Sequence, residues 1–98
     1  MKALRLVIHG RVQGVGYRDW LTHTARGLEL TGWVRNLTDG TVEAVISGQQ
    51  ADIQACLTAC QDGPPSADVT RIERTPCAPP VSPRFEKKTT ATRQSQVN

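Results

Sequence analysis

The sequence predicts an α+β domain of two layers, an antiparallel sheet with two helices packed on one face, and three observations carry that prediction. Apolar residues recur every three or four positions at Leu21, Ala25 and Leu28, and again at Ile53, Cys56, Leu57 and Cys60, which is helical spacing. The stretches around them alternate apolar and polar residues in the manner of half-buried strands. A chain of 98 residues suffices for one modest core, and hence for one domain.

Residues 3–9 form the first strand, with Leu4, Leu6 and Ile8 on one face and Arg5, Val7 and His9 on the other. After a glycine-rich stretch, the first helix runs from Trp20 through Leu28, weakened at Gly27 and closed by Gly32. Trp33 to Leu37 and Thr41 to Ser47 are two strands joined at Asp39-Gly40, a pair that tolerates the backbone angles of a tight hairpin. Val42, Ala44 and Ile46 give the second arm its buried face, and Gly48 ends it. The second helix stops at Gly63, Pro64 and Pro65. Ala67 to Arg74 is a fourth strand, in which Val69 and Ile72 fall on opposite faces unless a bulge intervenes. The segment TPCAPPVSP is excluded from a sheet interior, and Arg84 to Lys88 around Phe85 is read as a final edge strand. From Thr89 onward one valine is the only packing signal, so the domain is expected over residues 1–88 and a disordered polar tail over 89–98. The order is that of the ferredoxin-like split βαβ sandwich (βαββαβ), a four- or five-stranded antiparallel sheet with both helices on one face.

Composition excludes several classes. No run of eighteen apolar residues is present, and the opening MKALRLVIHG is too short and too alternating for a signal peptide, so a soluble cytoplasmic protein is expected. The formal charge is +3, and taking away the one charge of Arg93 leaves +2 on residues 1–88, too mild to argue a nucleic-acid partner. Cys56, Cys60 and Cys77 are odd in number and do not form a disulfide framework, and with only His9 and His23 elsewhere no spacing resembles a zinc site. Cys56 and Cys60 read as core packing in a reducing compartment.

The stretch GRVQGVGYRDW, residues 10–20, has the layout of an anion-binding loop. A strand-to-helix turn that points successive N–H groups into one concavity needs backbone angles that Gly14 and Gly16 can supply, and the helix that follows adds its own unpaired N–H groups. Arg18 stands against the helix dipole, and a bound anion would give it an electrostatic reason to be there. On residues alone, a glycine-rich turn whose arginine pairs with Asp19 or lies in water reads equally well. Nucleotide motifs fail: the sixth position from Gly10 is Val15 with no lysine after it, and GxGxxG from Gly14 would need glycine where Asp19 stands.

Three segments resemble the acylphosphatase family in order and spacing: GRVQGVGYR at 10–18, A..L.L.GWVRN from Ala25 to Asn36, and DGTVEAVISG at 39–48. The resemblance reaches through about residue 88, and the TPCAPPVSP loop and polar tail match no family motif. It implies hydrolysis of acyl phosphates to a carboxylate and inorganic phosphate, by a small cytoplasmic enzyme that uses no metal and no cofactor. The family's catalytic arginine falls on Arg18 and its asparagine on Asn36. The backbone of Gln13, Gly14, Val15, Gly16 and Tyr17 corresponds to the loop that cradles the phosphate, with Tyr17 where many members carry phenylalanine. No catalytic role is expected of the C-terminal end.

An acyl phosphate has a carboxylate leaving group, which departs at neutral pH without a proton. Holding the phosphoryl oxygens, neutralising their charge and aiming one water then remain. Arg18 and the loop meet the first two demands. Asn36 suits the third, since its amide both accepts and donates without carrying charge; by residue type alone it reads as a strand end before a turn. His23 reads as an exposed helical residue, and Trp20 and Trp33 as packing. The alternatives are a noncatalytic anion-binding accessory domain and an RNA-binding module of the same fold, though the middle strands offer only Trp33 for stacking. The expected partner is a small acyl phosphate, with no nucleic acid or membrane, and the chain is expected to be a monomer.

Overall fold

The computed structural model describes residues 2–92. In chain order the elements are β1 (Lys2–Arg11), α1 (Tyr17–Gly27), β2 (Thr31–Asn36), β3 (Val42–Gly48), α2 (Gln50–Cys60), β4 (Asp68–Pro76) and β5 (Phe85–Lys87). They form one sheet in the order β4-β1-β3-β2-β5. Apolar alternation sets its buried side: Leu6 and Ile8 of β1, Val34 of β2 and Val42, Ala44 and Ile46 of β3 share one core with α1 and α2. From α1 come Tyr17, Leu21 and Ala25, and from α2 the residues Ile53, Cys56, Leu57 and Cys60. Both helices therefore cover the same face, as their spacing predicts.

The sheet's other face carries charge through its middle. Glu43 on β3 is 5% exposed and accepts hydrogen bonds from Arg5 Nε at 2.6 Å and Arg35 Nε at 2.7 Å. A carboxylate at the centre of a sheet is tolerable because two guanidinium groups flank it on neighbouring strands.

The central strands pair antiparallel as expected, and the conditional bulge is present. The β1–β4 register shifts between His9 and Gly10, passing from Ile8 opposite Ile72 to Gly10 opposite Val69. The extra residue in β4 returns Val69 and Ile72 to the core side, where both pack against the cluster. β4 also runs further than its alternation suggests, through Thr75 and Pro76 opposite Arg5 and Leu4. It is an edge strand, so a proline there forfeits no ladder bond if its nitrogen faces outward.

Two differences concern the C-terminal end. β5 pairs parallel with β2, not antiparallel, with Phe85 opposite Gly32. Its anchor is Phe85, which is fully buried. Past β5, where the sequence places disorder from Thr89, backbone hydrogen bonds continue along β2. Lys88 N donates to Val34 O at 2.8 Å, Ala91 N to Asn36 O at 2.9 Å, and Thr38 N to Ala91 O at 3.1 Å. Such bonds need no apolar side chains, so hydropathy does not announce them. The rest of the expected tail, residues 93–98, lies outside the described residues.

α1 and α2 are joined at one end by Tyr17, whose hydroxyl donates to the Cys60 carbonyl at 2.6 Å. Burial is the main reason the Tyr17 hydroxyl is pushed far above its ordinary pKa, so it stays a neutral donor. The hydrogen bond between Cys60 and Cys56, together with burial, pushes the Cys60 thiol up. All three cysteines are free, and Cys56 and Cys60 are buried.

Two substitutions test this packing. Phe85→Ala should lower the unfolding free energy by about 3–5 kcal/mol in urea denaturation, the range for emptying a buried aromatic site. Tyr17→Phe should cost about 1–3 kcal/mol by leaving the Cys60 carbonyl without its donor.

Candidate active site

β1 and β2 end on the same edge of the molecule. Ile8 lies opposite Val42 on β3, and Val42 lies opposite Asn36 on β2. The loop leaving β1 therefore emerges beside Asn36. Asn36 shares strand parity with the core residue Val34, which places it on the helix face, where α1 begins. It is half-buried, and its backbone carbonyl accepts from Ala91.

The loop between β1 and α1 has the backbone that an anion cradle requires. Gly14 and Gly16 adopt φ of 73° and 80°, the left-handed region. Gly16 is the N-cap of α1 and no side chain caps the helix, whose first backbone bond runs from Trp20 N to Gly16 O. Among the described residues no backbone hydrogen bond is donated by the N–H groups from Gln13 to Asp19. These donors sit at the positive end of the helix dipole.

Arg18 and Asp19 take different hydrogen-bond partners. Asp19 is engaged by Lys87, whose Nζ lies 2.7 Å from Asp19 Oδ1. That hydrogen bond, reinforced by charge, holds the Asp19 carboxyl below its ordinary pKa, so it stays ionised. Arg18 instead donates from Nη1 to the Lys88 carbonyl at 2.9 Å. One guanidinium nitrogen is thereby fixed, and the half-buried side chain keeps other N–H groups for a ligand.

The C-terminal end thus lies against the start of α1, a contact the sequence does not announce. α1 grips it at three points: Arg18 on Lys88, Asp19 on Lys87, and Arg26 Nε on the Phe85 carbonyl at 2.9 Å. None of these contacts was legible in sequence, because each joins residues at least 59 positions apart.

Gln13 is a second contribution that sequence reasoning missed. Its backbone was assigned to the cradle, but its side-chain Nε2 donates to Leu37 O at 2.7 Å and Thr41 O at 2.8 Å. The start of the loop is tied to the β2–β3 turn, next to Asn36. Val15 is half-buried and packs against the core, while Tyr17 is buried in it. His23 is exposed, as expected. Trp20 packs on the core edge-on to Tyr17, with ring centroids 5.4 Å apart. Trp33 lies on the open face instead, with Arg35 and Lys88 over its ring at 4.7 and 5.1 Å. Among the described residues no three His, Cys, Asp or Glu side chains cluster so as to hold a metal ion.

Comparison with known proteins identifies the family. The acylphosphatase family model matches residues 4–87. An acylphosphatase of Acidiphilium cryptum is 51% identical over 90 residues, covering 92% of this chain and 99% of that protein. One of Rhodospirillum rubrum is 53% identical over 88 residues, covering 90% and 97%. The crystal structure of acylphosphatase from Bacillus subtilis superposes with a TM-score of 0.86 at 35% identity, covering 90% of this chain and 99% of that one. With the family pattern spanning the sheet, both helices and the loop between β1 and α1, the chain belongs to the acylphosphatase family.

Proposed function

We infer that the acyl-phosphate hydrolysis of this acylphosphatase takes place at the loop between β1 and α1. The N–H groups of residues 13–17 and the guanidinium of Arg18 hold the phosphoryl oxygens, and Asn36 places the attacking water. The observation that carries this reading is the free set of donors at the uncapped start of α1, with Arg18 held beside it by the Lys88 carbonyl.

The chemistry fits these groups. The water oxygen forms a bond to phosphorus as the bond to the bridging oxygen breaks, and that electron pair leaves on the carboxylate. Charge builds on the nonbridging oxygens, where fixed N–H dipoles and a guanidinium need no reorganisation to stabilise it. The water's proton passes to a phosphoryl oxygen of the substrate. Asp19, engaged by Lys87, is not asked to act as base. Since the leaving group needs no proton, no metal is required, and hydrolysis should persist in EDTA. We place the enzyme in the cytoplasm as a monomer; free cysteines, two of them buried, support a reducing compartment.

Steady-state hydrolysis of benzoyl phosphate tests the residue roles. Arg18→Gln and Asn36→Ala should each lose roughly a hundredfold to a thousandfold in rate, the typical loss on deleting one preorganised donor. Both should fold, with no large loss of stability in urea denaturation. Arg18→Gln turning over at the parental rate would remove the phosphate site from this loop.

A further inference from the structure

We propose that Gln13 is a positioning residue, whose side-chain amide sets the distance between the phosphate loop and the water-placing Asn36. The proposal rests on the reading of Asn36 given above.

A primary amide carries two N–H donors, and a single Gln13 nitrogen spends both on two backbone carbonyls, Leu37 O and Thr41 O. Those carbonyls belong to a turn that is already rigid. Leu37 O also accepts from Gly40 N at 3.2 Å, and Thr41 O from Leu37 N at 2.9 Å. Asp39 Oδ1 accepts from Thr41 N at 3.0 Å and from Thr41 Oγ1 at 2.6 Å. Gln13 therefore docks onto a preformed pair of acceptors.

The consequence follows from where its two ends lie. Gln13 opens the loop assigned to the phosphoryl group, and Leu37 is the residue after Asn36. The amide joins the phosphate side of the reaction to the water side across the gap between β1 and β2, strands that are not neighbours in the sheet. Near-attack geometry is sensitive to shifts of about 1 Å, which cost on the order of a hundredfold in rate. Few side chains could replace it. Glutamate would set a carboxylate against two carbonyls, leucine has no donor, and asparagine is one methylene short.

The test is a double-mutant cycle on kcat for benzoyl phosphate, read beside competitive inhibition by inorganic phosphate. Gln13→Leu should lower kcat about 10- to 100-fold, while the phosphate inhibition constant, set by the loop and Arg18, moves less than about threefold. Placed on Asn36→Ala, Gln13→Leu should cost less than about threefold more, because its effect runs through Asn36. Full multiplication of the two losses, a parental kcat in Gln13→Leu, or a loss of phosphate affinity equal to the loss of kcat would each overturn the proposal. Asn36→Ala at the parental rate would remove the underlying reading, and the single variants tell these failures apart. If circular dichroism shows Gln13→Leu unfolded, Gln13→Glu, of unchanged length, enters the same cycle with the same outcomes.

Discussion

A phosphate cradle made of backbone N–H groups must leave those groups without partners in the folded chain, and the surrounding structure depends on that constraint. Unpaired donors do not hold a loop in place, so the loop must be held by everything else. Gln13 ties its beginning to the β2–β3 turn. Tyr17 ties its end to the Cys60 carbonyl, from within the core. Gly14 and Gly16 give it left-handed turns that a side chain would resist by about 1–2 kcal/mol each. The loop is held because its side chains are committed, to the β2–β3 turn at Gln13 and to the core at Val15 and Tyr17.

The same logic accounts for the C-terminal end. A three-residue strand adds little ladder of its own, but Phe85 buries a whole aromatic ring and α1 grips the backbone and Lys87 beside it. In return, the Lys88 carbonyl fixes one nitrogen of Arg18. An arginine at a helix start is otherwise long, mobile and placed against the dipole. Lys87 completes the arrangement by taking the hydrogen bond of Asp19, while the Arg18 guanidinium bonds to the Lys88 carbonyl. On the opposite face of the sheet, Arg5 and Arg35 enclose Glu43, a separate electrostatic solution that leaves the site untouched.

What was legible in the sequence was local. Helical spacing in Ile53, Cys56, Leu57 and Cys60, the Asp39-Gly40 hairpin and the glycines before Arg18 each state their structure within a few residues. The bulge in β4 was only an option there, since Val69 and Ile72 fall on opposite faces unless an extra residue intervenes, and the register shift supplies that residue. The contacts that hold the site are long-range, from Gln13 to Leu37, Arg18 to Lys88 and Asp19 to Lys87. Two of these end on a backbone carbonyl, an acceptor every residue carries, so no residue type marks the partner. The parallel pairing of β5 was hidden for the same reason: Phe85 signals burial, and nothing in three residues signals direction.

The most direct measurement is hydrolysis of benzoyl phosphate in water enriched in oxygen-18, with the two products analysed by mass spectrometry. A site that grips the phosphoryl group and aims water at phosphorus places the heavy oxygen in inorganic phosphate and none in benzoate. Label in benzoate would mean that water attacks the carbonyl carbon, and a cradle built around the phosphoryl oxygens by Arg18 and residues 13–17 would then be the wrong description of the site.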